Sequence, residues 1–96
     1  MKLYLVERYV AGPPEERLDG IASRLRAATG SLAAEGCEVR YLQSILLKGE
    51  ESCLCLFEAA SEDEVRKVNE LAGLTYLRIV AATSASGEST IPSGTG

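Results

Sequence analysis

Ser52-Cys53-Leu54-Cys55-Leu56-Phe57-Glu58-Ala59, running straight into Ala60-Ser61-Glu62-Asp63-Glu64, is the stretch that decides the architecture. Its first eight residues are aliphatic and aromatic enough to read as a strand. Ser61 then caps a helix, Glu64 completes a capping box, and Glu62 and Asp63 place negative charge in the first turn. Val65, Val68, Leu71 and Ala72 supply that helix's apolar stripe, and Gly73 suits the left-handed position that closes it. Upstream, residues 38–47 are again strand formers, and Lys48-Gly49-Glu50-Glu51 is a connection short enough for an antiparallel hairpin. Downstream, Tyr76-Leu77-Arg78-Ile79-Val80-Ala81-Ala82 reads as a last strand.

The amino-terminal half has the same order. Residues 3–10 form a strand that stops at Gly12-Pro13-Pro14, and Glu15 and Glu16 open a helix in which proline is tolerated at the first turn. Leu18, Ile21, Ala22, Leu25, Ala28 and Leu32 recur at three- and four-residue spacing, so they share one face, with Arg17, Arg24 and Arg26 directed away. The helix runs to about residue 35 and ends at Gly36. Two strand-helix-strand halves with right-handed crossovers predict an α+β, ferredoxin-like βαββαβ fold, a four-stranded antiparallel sheet with both helices on one face. Residues 1–83 make the single domain. Residues 84–96, rich in Ser, Gly and Thr, read as a flexible polar tail whose removal leaves the melting temperature unchanged.

Composition narrows the function classes. The 96 residues are 46% apolar and 25% charged, as in an ordinary globular domain, and no apolar run is long enough to span a bilayer. Met1-Lys2-Leu3 leads directly into a strand instead of a signal-peptide core, and a net charge of −4 without a basic run speaks against nucleic acid. The expected location is cytoplasmic, with neither membrane nor nucleic acid as partner. Three cysteines, two of them two apart in one strand, do not suggest a disulfide framework. The absence of His removes the commonest metal ligand and the commonest general base together. No phosphate-binding glycine loop, nucleophile elbow or zinc spacing is present.

Leu3 and Leu5 fall on one side of the first strand and Tyr4 and Val6 on the other, while Cys53, Cys55 and Phe57 oppose Leu54 and Leu56. Strands apolar on both faces need cover on both faces. The helices cover one, and a second copy of the chain is expected on the other, giving a homodimeric α+β barrel.

Leu5-Val6-Glu7-Arg8, Val39-Arg40-Tyr41-Leu42-Gln43-Ser44, Cys55-Leu56-Phe57-Glu58-Ala59-Ala60-Ser61, Ala72-Gly73-Leu74 and Arg78-Ile79 resemble, in order and over residues 3–82, the bacterial family called domain of unknown function 4242. Some of its members are described as nickel-binding. The resemblance implies a ferredoxin-like, usually dimeric protein. This chain departs from the family pattern at Val68 and Asn69, where a His is common in the second helix, and at Gly49-Glu50, where an Asp is common in the central turn. No metal ligands and no cofactor are therefore assigned, and nickel is expected to bind no tighter than about tens of micromolar.

Glu7, Glu58, Tyr41 and Arg78 are the candidate catalytic groups, because ionisable side chains inside apolar strands have the environment that shifts a pKa. The competing role for Glu7 and Glu58 is cross-strand pairing with Arg8, Arg40 or Arg78. Tyr41, Gln43, Ser44 and Asn69 are the candidate ligand-binding groups, since a few fixed polar atoms in an apolar setting make a small-molecule site. Cys53 and Cys55 offer soft metal ligands or, more simply, core packing. Two functions follow: a dimeric small-ligand or metal-binding protein, or a cofactor-independent enzyme (cyclase, isomerase or monooxygenase type) that holds a small organic substrate between sheet and helices.

Overall fold

A computed structural model describes residues 1–12 and 14–85. Six elements follow in the order β1 (Lys2–Tyr9), α1 (Pro14–Ala34), β2 (Val39–Leu47), β3 (Ser52–Ala59), α2 (Glu62–Leu71) and β4 (Arg78–Ala82). The strands form one antiparallel sheet in the order β2-β3-β1-β4, the ferredoxin-like arrangement the sequence predicts. The expected tail falls mostly outside the described residues.

Alternation along β1 and β3 sends Tyr4, Val6 and Arg8, with Cys53, Cys55, Phe57 and Ala59, to the side the helices cover. Ile21, Leu25, Ala28 and Leu32 of α1 and Val65 and Val68 of α2 close over them. Val6, Leu25, Phe57, Val65 and Val68 are fully buried, each such side chain contributing roughly 1.5–3 kcal/mol of hydrophobic stabilisation. Among the described residues the other face carries no helix: Leu3, Leu5, Leu54 and Leu56 are half-buried there, and Ile45, Leu47 and Val80 are exposed.

Gly36 and Gly73 both have positive φ, 93° and 72°, and follow the last turn of their helices. In each case the next residue donates back five positions, Cys37 to the carbonyl of Leu32 and Leu74 to that of Asn69, which closes the orphan carbonyls. Three local expectations need correction. Ser61 makes no side-chain cap bond, and Glu64 accepts from the backbone N–H of Ala60 at 3.1 Å, so only half of the capping box forms, displaced by one residue. Leu71 is exposed and Asn69 is buried in its place, because α2 turns the Val65, Val68, Asn69 face to the sheet. The last strand begins at Arg78 and not at Tyr76; residues 74–77 form the connection that passes over the end of β1.

Candidate functional site

Strand β2 contains an irregularity on which the site depends. Tyr41 pairs with Phe57 and Gln43 with Leu56, so Leu42 is an extra residue, a bulge. Strict alternation would put Tyr41 and Gln43 on one face. The bulge instead sends Tyr41 and Ser44 toward the helices and leaves Gln43 exposed on the open face.

Tyr41 and Ser44 therefore meet, hydroxyl to hydroxyl, and Ser44 Oγ lies 3.1 Å from Cys55 Sγ. Cys55 Sγ is in turn 3.9 Å from Cys53 Sγ, and both thiols are fully buried. Arg8, opposite Cys53 in the β1–β3 register, is 2% exposed. Its guanidinium donates to the Thr75 carbonyl at 3.0 Å and to Asn69 Oδ1, and its Nε has no partner. Asn69 Nδ2 donates to the Val65 carbonyl at 2.8 Å, which fixes the amide orientation. Among the described residues no carboxylate pairs with Arg8, so a buried cation rests on neutral acceptors beside two thiols.

That setting divides the thiols. The hydrogen bond from Cys53, helped by Ser44 and the charge of Arg8, outweighs burial and brings Cys55 down to about 6. Supplying that hydrogen bond, together with burial, pushes Cys53 well up, so one proton is held between the two sulfurs. Burial raises the Tyr41 phenol against the lowering effect of Ser44, and it stays protonated. The setting favours the thiolate form of Cys55, with Arg8 contributing positive charge beside it.

The remaining candidates lie elsewhere. Glu7 accepts from Arg78 Nε at 2.8 Å and Glu58 from Arg40 Nη1 at 3.2 Å, both on the open face of the sheet. Glu7, Glu58 and Arg78 are thus on the opposite side from Tyr41, Ser44 and Asn69, and one chain does not bring the two sets together. Arg8 is not a partner of either glutamate, because its position in β1 points it to the helix side. A surface cleft of about 330 Å³ between α1 and β2 is lined by Tyr41 with Arg26, Thr29 and Val39 among others, so Tyr41 separates that cleft from the thiols. The residue that sequence reasoning missed is Arg8. The signal was present, since β1 alternation places it with Tyr4 and Val6.

Residues 4–81 match the family described as "Nickel responsive protein SCO4226-like". The chain belongs to that family. The crystal structure of SCO4226 from Streptomyces coelicolor A3(2) superposes with a TM-score of 0.67 at 16% sequence identity, covering 88% of this chain and 99% of that one. At that identity the likeness shows the fold. No curated protein matches the sequence significantly. Nickel, which the SCO4226-like family's description implies, does not fit the donors of this member. The chain has no His, and among the described residues no three of its Cys, Asp and Glu side chains gather at one point. Two thiolates around a divalent ion would be neutral, which would leave Arg8 buried without a counter-charge.

Proposed function

We propose that this SCO4226-like chain is a small metal-binding protein whose working group is the thiol pair Cys53 and Cys55, suited to a soft monovalent ion of the Cu(I) class. The observation that carries this reading is the pair of sulfurs 3.9 Å apart on one face of β3 beside the unpaired cation of Arg8. Soft thiolates favour Cu(I). Two thiolates, one monovalent cation and one guanidinium sum to zero, which is what a dry interior requires. Ser44 and Tyr41 form the polar lining on the side toward the α1–β2 cleft.

The test is competition for Cu(I) against a chromophoric chelator, on reduced protein without an affinity tag. One equivalent per chain is expected, lost in Cys53→Ser and in Cys55→Ser and retained in Cys37→Ser, with nickel binding at least about a thousandfold weaker, as the donor chemistry requires. Failure to take up Cu(I), or uptake that survives loss of both thiols, overturns the assignment.

We propose further that the protein works as a homodimer joined through the open sheet face. The support is the half-buried Leu3, Leu5, Leu54 and Leu56, with the exposed Ile45 and Val80 around them, on a face that no element among the described residues covers. In such a dimer the Glu7–Arg78 and Arg40–Glu58 pairs lie on or beside the joined faces. The enzyme alternative draws no support from a particular observation, since Glu7, Glu58 and Arg78 face away from the helices.

A further inference from the structure

The carboxyl end of β1, the first half of α1 and the loop after α2 enclose a cleft of about 190 Å³ lined by three arginines, Arg8, Arg17 and Arg24, together with residues 73–75. Among the described residues no Asp or Glu lines it. That is unusual in a chain of net charge −4, where Arg40, Arg66 and Arg78 each hold a carboxylate. The helix itself offers no relief. Positions three and four away from Arg17 are Pro13, Pro14, Gly20 and Ile21, and those around Arg24 are Gly20, Ile21, Ala27 and Ala28, so no acidic side chain reaches either one along α1. Among the described residues neither Arg17 nor Arg24 takes part in an ion pair, and the side chain at the floor, Arg8, has a buried Nε without a partner.

We infer that this cleft is a binding site for a small oxyanion, the phosphate or carboxylate group of a small molecule. Arg17 and Arg24, like charges without a carboxylate partner, repel one another across the cleft above Arg8, and an anion between them removes that repulsion. Guanidinium forks match the planar oxygen pairs of carboxylate and phosphate. The division of labour follows from burial. Arg17 and Arg24 are exposed and free to close on the ligand, whereas Arg8 is fixed by Thr75 and Asn69 and contributes its field from below. Gly73, with φ 72°, turns the loop beside Arg24, whose Nη1 would stand in ordinary contact, 3.9 Å, with a Cβ at that position. The volume admits an oxyanion headgroup and little more, and the neighbouring cleft, which shares Arg17, Arg24 and Leu74, leaves room for the rest of a small molecule. This site does not depend on metal at the thiols.

The experiment is isothermal titration of the full chain with inorganic phosphate, sulfate and succinate, each at ionic strength matched with chloride. Saturable 1:1 binding is expected for at least one of them; phosphate and sulfate together point to a phosphoryl ligand, succinate alone to a carboxylate. Arg17→Gln and Arg24→Gln should each weaken binding about tenfold, the loss of one charge-assisted contact, without lowering the melting temperature. Lys67→Gln, on α2 outside the cleft, should leave it unchanged. Absence of saturable binding for all three anions, or binding indifferent to both arginine substitutions, overturns the inference.

Discussion

Arg8 and Asn69, 61 residues apart in the chain, close a buried hydrogen bond that ties the end of β1 to the last turn of α2. Asn69 is itself anchored on the Val65 carbonyl, so the acceptor offered to the guanidinium is rigid. Removing one partner of a buried charged contact costs far more than removing both, because the charge is left without its acceptor. Asn69→Leu should therefore destabilise the protein by about 2–3 kcal/mol, roughly 10–20 °C in a domain of this size. Arg8→Met combined with Asn69→Leu should recover most of that loss. Thermal unfolding of the two single variants and the double variant checks the coupling, and strictly additive effects would show that the two residues do not act as a pair.

The hydrogen bond from Cys53, with help from Ser44 and the same guanidinium, sets the pH behaviour of Cys55. Cys55 titrates at about 6 in the folded chain, below the roughly 8.5 of a free thiol. A depressed folded value gives stability that is fully present above the unfolded pKa and is lost as pH falls through the folded one, so Cys55 contributes increasingly between about pH 6 and 8.5. Cys53 has the opposite sign: its raised value gives stability present below the unfolded pKa and lost as pH rises beyond it. Thiolate absorbance in the metal-free protein should show one sulfur per chain ionising near pH 6. Cys53→Ser and Arg8→Met should both move that transition upward, since each removes a group that holds the negative charge.

Much of this was legible in the sequence. The element order, the buried faces of α1 and β3 and the glycines at 36 and 73 follow from spacing and from the one residue type that tolerates positive φ. The site was less so. Gln43 and Ser44 exchange faces because Leu42 is inserted into the ladder, and an extra residue in a strand of ordinary strand formers leaves no mark on composition. Arg17 and Arg24 lie off the apolar face of α1, as their spacing predicts, yet the loop after α2 rises beside them and turns a solvated face into the wall of a cleft. Asn69 is buried where Leu71 was expected, because its amide answers Arg8, a partner that no local pattern reveals.

Glu51 is the one non-glycine among the described residues with positive φ, 52°, at the end of the β2–β3 turn. Its carbonyl accepts from the Val10 N–H at 2.9 Å, which fixes the backbone, while its side chain only receives a long 3.3 Å bond from exposed Tyr9. Glycine adopts this conformation without a Cβ penalty. Glu51→Gly should stabilise the chain by up to about 1 kcal/mol despite the looser unfolded state, and Glu51→Val should destabilise it by at least as much. Chemical denaturation of both variants decides between relief of strain and loss of the Tyr9 contact, which would lower stability in both.

Leu54 and Leu56 stand at the middle of the open face, flanked across the register by Ile45 and Gln43 on one side and by Glu7 and Leu5 on the other. Both are half-buried within the chain, and their side chains have nowhere else to go: the helices occupy the other face. If a second sheet covers them, a charge at Leu56 would be driven into an apolar contact at a cost of several kcal/mol, enough to dissociate a dimer of ordinary affinity. Leu56→Lys should convert a species of twice the 10.2 kDa chain mass into the single chain while leaving the circular dichroism of the fold intact, because the substituted position faces solvent in the separated chain. Glu7→Gln, which breaks an ion pair with the 67%-exposed Arg78 side chain, should change monomer stability by less than about 1 kcal/mol. Sedimentation equilibrium at micromolar concentration reads the result directly. A wild-type chain that sediments at 10.2 kDa, or a Leu56→Lys variant that stays associated, would remove the sheet face as the site of assembly.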